Sequence, residues 1–77
     1  MINTSLSRDS IEQELRDIWG KLLGVDVGRN DNFFDLGGDS LKVVEVVIEA
    51  RKRGVSFRSS AVFRNPTPAL LAASLAP

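Results

Sequence analysis

The chain has 77 residues, ten Lys plus Arg against ten Asp plus Glu, and no His, Cys or Tyr. That length suits a single domain over 1–77, near the lower limit at which one core sustains itself, and 43% apolar with 26% charged residues is a composition that folds. Without His or Cys, disulfides, the common zinc sites and every Ser-His-Asp or Cys-His triad are excluded.

Zero net charge also argues against a nucleic-acid partner, which would need a basic stripe to neutralise phosphates. The densest basic cluster, Arg51-Lys52-Arg53, is followed at once by Gly54 and reads as the last turn of a helix, its cations set against the negative end of the dipole. Met1 to Gly20 carries Arg8, Asp9, Glu12, Glu14, Arg16 and Asp17 and no apolar stretch of the signal-peptide kind. The longest apolar run, Ala69 to Ala73, falls far short of the ~20 residues that cross a bilayer. A cytoplasmic location with no membrane partner is expected.

Residues 1–6 read as a loose end. Ile11, Leu15, Ile18, Trp19, Leu22 and Leu23 then recur at the spacing of an amphipathic helix. Asp9 to Glu12 and Ser10 to Gln13 each fit a capping box, and Gly24 can close the helix in the left-handed conformation. Helix one is placed at about 9–23. The loop over 24–39 holds Gly24, Gly28, Asn30, Asn32, Gly37 and Gly38, and a loop this long in a small domain tends to mark function. Phe33, Phe34 and Leu36 are expected to plug it onto the helices, with at least one Phe in the core.

Leu41 to Ala50 is rich in β-branched residues, yet it does not alternate as a strand would, and helical steps sort it cleanly. Val43, Val46, Val47 and Ala50 fall on one face, Lys42, Glu45 and Glu49 on a second, and Leu41, Val44 and Ile48 on a third. One apolar face suffices for a core. The other is either buried between further helices of a bundle or exposed for a partner. The Glu49 to Arg53 spacing supports the helix, placed at about 40–53 and ended by Gly54. A connector with Val55 and Phe57 leads to a short helix at about 59–64, capped by Ser59 and broken at Asn65-Pro66. Thr67 as N-cap and Pro68 at the first helical position open a last helix at about 68–76. The expected fold is all-α: a small bundle of three main helices plus one short helix, with a long loop between helices one and two.

Chemistry concentrates at Gly37-Gly38-Asp39-Ser40-Leu41, where loop meets helix two. The surroundings of Ser40 lack the second glycine of a nucleophile elbow and any histidine base. No Gly-Lys-Ser or Gly-Lys-Thr of a P-loop occurs, and Phe33 breaks a calcium loop begun at Asp31. A helix N-terminus does favour a phosphate. Ser40 is therefore either a helix cap or the bearer of a phosphodiester.

The run Asp31-Asn32-Phe33-Phe34-Asp35-Leu36-Gly37-Gly38-Asp39-Ser40-Leu41 resembles the core motif of carrier proteins from non-ribosomal peptide and polyketide synthases. Trp19 and Leu22-Leu23-Gly24 in helix one, and Phe63-Arg64-Asn65-Pro66-Thr67 before the last helix, extend the resemblance over the whole chain. It implies an acyl-carrier-protein-like bundle in which Ser40 receives 4′-phosphopantetheine from coenzyme A through a phosphopantetheinyl transferase. The thiol of that arm would hold aminoacyl, peptidyl or acyl groups as thioesters, so a chain without catalytic residues or metal would act as a carrier and not as an enzyme. Asp39 would lie beside the arm as a transferase contact. Leu41, Val44 and Ile48 would dock partners, as would Ala61 and Val62 of the short helix. Those partners would be an adenylation or other loading enzyme, then condensation, tailoring or thioesterase enzymes, with the carrier itself a monomer. Met1 slightly favours a free-standing protein over a piece of a longer synthetase.

The motif wording is closest to peptidyl carriers. Helix two also mixes Lys42, Glu45, Glu49, Arg51, Lys52 and Arg53, unlike the strongly acidic helix of fatty-acid carriers. An acyl carrier of a polyketide or hybrid pathway is the alternative within the family. A helical docking module without prosthetic group, with Ser40 a mere cap, is the alternative outside it.

Overall fold

The computed structural model describes residues 7–76, and the loose end expected over 1–6 lies outside them. Four helices follow one another: α1 (Arg8–Leu23), α2 (Ser40–Lys52), α3 (Ser59–Arg64) and α4 (Pro68–Leu75). The fold is the all-α bundle expected, with three main helices, one short one and the long loop before α2. α1 packs along both α4 and α2, while α3 rests against α2. Ile11, Leu15, Ile18 and Trp19 of α1 meet Val43, Val46 and Ala50 of α2 and Leu71 and Ala72 of α4 in one core. Burying each large aliphatic side chain there contributes roughly 1.5–3 kcal/mol.

Three local expectations are corrected. The N-cap of α1 is Ser7, whose Oγ accepts the Ser10 amide at 3.1 Å, and neither capping box forms. With the cap supplied one residue before the helix, Glu12 is free to pair with the loop: Arg29 donates to both its carboxylate oxygens, at 2.9 and 3.0 Å. Ser59 lies inside α3, whose N-cap position is Arg58 with no side-chain hydrogen bond. Val47 is half-buried and outside the core, because α1 and its neighbours fill only the arc of Val43, Val46 and Ala50. Gly24 does close α1 at φ +71°, and Thr67 does cap α4, accepting the Leu70 amide at 3.1 Å.

The long loop is fastened at several points. Arg16 Nε donates to the Val27 carbonyl at 2.8 Å, the Phe33 amide to the Pro66 carbonyl at 2.7 Å, and the Ala69 amide to the Arg29 carbonyl at 3.0 Å. These bonds satisfy backbone groups that a buried loop would otherwise leave unpaired. At the other end of α2, Arg53 turns onto α1 and donates to Glu14 and Asp17, both at 2.8 Å. The basic triplet is thus more than a dipole complement, since its third member ties α2 to α1. The guanidinium of Arg53, with Lys21, holds Asp17 below the usual aspartate range. The hydrogen bond from Arg29 likewise lowers Glu12, against the opposing effect of burial.

Candidate functional site

The approach to α2 is a sequence of tight turns hung on one aromatic ring. Asn32 Oδ1 accepts the amides of Phe34 and Asp35 at 2.9 and 3.2 Å, the self-capping habit of an Asx turn. The Gly37 amide then bonds the Phe34 carbonyl and the Gly38 amide the Phe33 carbonyl, at 3.2 and 3.0 Å. Gly37 has φ +103°, which side chains rarely adopt. At Gly38 a Cβ would overlap the Phe33 ring and stand 2.8 Å from the Phe33 carbonyl oxygen. Phe33 itself is fully buried and meets Trp19 edge-on at 4.8 Å. Of the two adjacent phenylalanines, Phe33 is the core plug and Phe34 is half-buried.

This arrangement delivers Asp39 and Ser40 to the start of α2. Asp39 is the N-cap: its Oδ1 accepts the Lys42 amide at 2.9 Å. Ser40 is the first helical residue and is exposed. Among the described residues its hydroxyl has no hydrogen-bond partner, and neither do the amides of Ser40 and Leu41. The cap is therefore already filled by its neighbour, and the Ser40 hydroxyl has no structural duty. A phosphodiester on that oxygen fits, because two free amides at the positive end of the helix dipole suit an anion. The role of a catalytic serine does not fit, because the chain has no histidine to serve as its base.

Leu41, Val44 and Ile48 run away from Ser40 along the outer side of α2, exposed by 75%, 47% and 50%. Ala61 in α3 is half-buried against the core. Val62 is fully buried, so a docking role for it is corrected: its side chain is occupied in holding α3 to the bundle. Phe63 takes the outward position instead, 51% exposed and stacked on Phe34 at 5.1 Å with 21° between the rings. Sequence reasoning overlooked it. Helical steps would have found it, since turning Val62 inward points its successor about 100° away.

Comparison with known proteins agrees with this geometry. Residues 13–75 match the family described as phosphopantetheine attachment site. Chondramide synthase of Chondromyces crocatus is 46% identical over 66 residues, which is 84% of this chain and 2% of that protein. The chain spans between 1% and 5% of the length of such curated relatives. Among solved structures, a non-ribosomal PCP domain superposes with a TM-score of 0.78 at 36% identity, covering 94% of this chain and 92% of that one. A thiolation-reductase di-domain from an archaeal non-ribosomal peptide synthetase gives 0.81 at 37% identity, covering 97% of this chain and 15% of the other. No helix among the described residues is long and apolar enough to cross a membrane. Built on the all-α bundle and presenting the family's motif at the mouth of α2, the chain belongs to the phosphopantetheine-attachment family, as a carrier domain of the peptidyl type.

Proposed function

We propose that Ser40 bears the 4′-phosphopantetheine arm and that the chain acts in non-ribosomal peptide biosynthesis as a carrier without catalysis of its own. One observation carries the assignment. Asp39 caps α2, which leaves Ser40 exposed with an unengaged hydroxyl at a helix N-terminus. When bound, the arm supplies a terminal thiol that holds the aminoacyl, peptidyl or acyl cargo as a thioester. The chain's own residues position and present. Phe33 fixes the turn, Gly37 and Gly38 leave the approach uncluttered, and Asp39 orients the first turn of α2.

The phosphopantetheinyl transferase supplies the base that removes the Ser40 proton, since one oxygen of Asp39 is held by the Lys42 amide and the chain has no histidine. Asp39 therefore contacts that enzyme, if at all, through its remaining oxygen. Leu41, Val44 and Ile48, with Ala61 at the edge, form the surface for the loading enzyme and for later condensation, tailoring or thioesterase enzymes. Small apolar contacts suit a monomer that must leave each partner after one step. The cytoplasm, where coenzyme A and the loading enzymes work, is the proposed location.

Intact mass after incubation with coenzyme A and a broad-specificity phosphopantetheinyl transferase tests the reading. The parent gains one phosphopantetheine, and Ser40→Ala gains none while its stability moves by less than about 0.5 kcal/mol, as for an exposed residue. A folded parent that gains nothing would leave an unmodified docking module. A gain that persists in Ser40→Ala would move the attachment elsewhere.

A further inference from the structure

Four of the ten cations of this neutral chain are held in ion pairs. Lys21 pairs with Asp17, Arg29 with Glu12, Lys52 with Glu49, and Arg53 with Glu14 and Asp17. Arg51 and Arg64 are exposed and form no ion pair among the described residues. Their places are not random. Leu41, Val44, Ile48 and Arg51 follow i, i+3, i+7 and i+10, so the apolar row on α2 ends in Arg51. The row is about 15 Å long at the helical rise. In α3, with Val62 turned into the core, Phe63 and Arg64 come round to the outer side together.

The acids near this face do not balance those two cations. Glu45 and Glu49 share one flank of α2 with Lys42 and Lys52, so that flank is neutral in itself. Asp35 and Asp39 stand at the Ser40 end, a whole helix length from Arg51, and Asp39 is engaged as the cap.

From this complementarity we infer that the α2–α3 face fits a protein surface of one kind: an apolar patch bordered by carboxylates that meet Arg51 and Arg64. The inference rests on the carrier reading for its purpose but not for its test. Rim charges of this sort add little to affinity and act mainly on encounter rate and on the choice between partners. A basic partner surface would face two uncompensated guanidinium groups and be disfavoured, which is negative selection by charge.

Two synthetic amphipathic helical peptides test this. They share one leucine face and differ only in its flanks, all glutamate in one and all lysine in the other. Amide shifts of the labelled protein are followed against each peptide, for the parent and for the double variant Arg51→Glu, Arg64→Glu. The glutamate peptide is expected to shift the amides of Val44, Ile48 and Phe63, with half-saturation at a concentration roughly threefold lower than the lysine peptide. In the double variant the preference reverses. Equal response to both peptides, a preference for lysine in the parent, no shift with either, or shifts confined to other surfaces would each overturn the inference. Intact mass of the same labelled protein after transferase treatment is read in parallel. Failure there with the peptide preference intact removes the carrier reading and leaves the charge rule standing. The opposite pattern does the reverse.

Discussion

Val43, Val46 and Ala50 on the inner side of α2 are fully buried, whereas Leu41, Val44 and Ile48 on its outer side keep about half or more of their surface in water. The residue types are nearly the same on both sides. What separates them is the neighbourhood: α1 and its partners cover one arc of the helix, and nothing among the described residues covers the other. Hydrophobicity therefore does two jobs in one element. The inner row stabilises the bundle, and the outer row, with half or more of its surface in water, adds far less to it and is the row proposed for docking. A small domain can leave such a row exposed only because it is three side chains long, too small to drive permanent association.

The sharpest way to break this contrast is to place a charge on each row. Val46→Asp buries an uncompensated carboxylate and should cost upward of about 3 kcal/mol, a large share of the stability of a domain this size. Loss of a cooperative thermal transition by circular dichroism checks it. Val47→Asp, at the edge of the covered arc, should cost clearly less and retain the transition. Equal damage from both would mean that the buried arc is wider than Val43, Val46 and Ala50.

Gly38→Ala probes the hinge between the rows and the site. Its Cβ would drive into the Phe33 ring, and such overpacking costs typically about 1–3 kcal/mol. Urea unfolding should show the loss with an unchanged slope, since the surface exposed on unfolding is the same. A neutral result would show that Phe33 can yield, and that the turn before Ser40 is less firmly set than its hydrogen bonds indicate.

The smallest effect concerns acid. Glu12 and Asp17 are held below their ordinary values of 4.5 and 3.8, chiefly by hydrogen bonds from Arg29 and from Arg53 and Lys21. A carboxylate lowered by folding adds stability that is fully present above its unfolded value and is lost as pH falls through its folded one. Stability should thus be level above about pH 5 and decline below the glutamate value of 4.5. Glu12→Gln should lower the plateau and flatten part of that decline in urea titrations across pH. An unchanged slope would mean that the Arg29 pair does not outlast solvent screening.

Much of this was legible in the residues, and the gaps share one cause. Local chemistry was readable where a single residue type is demanded: Thr67 before Pro68, Gly24 after α1, and the motif around Ser40. It failed where several equivalent residues compete. Ser7, Asp9 and Ser10 can all cap a helix, and the choice fell to Ser7, with Glu12 engaged by an arginine seventeen residues on. Phe33 and Phe34 are adjacent in a loop without periodicity, so which one is buried depends on where Trp19 lies. Helical steps gave the bearing of Val47 but not what lies along it, and the docking role of Val62 came from the resemblance alone. Only the packed bundle shows that Val62 points at neighbours and Val47 past them.

The division of labour on α2 is tested most directly by the initial rate of phosphopantetheine transfer to Val44→Asp, followed by intact mass, with the melting curve taken on the same sample. The account predicts a melting curve close to that of the parent and transfer slowed roughly tenfold, the effect of losing one central contact of about 1.4 kcal/mol. A variant that is unfolded would show Val44 to be part of the core, and a folded variant modified at the parental rate would show the outer row of α2 to be no docking surface for the transferase.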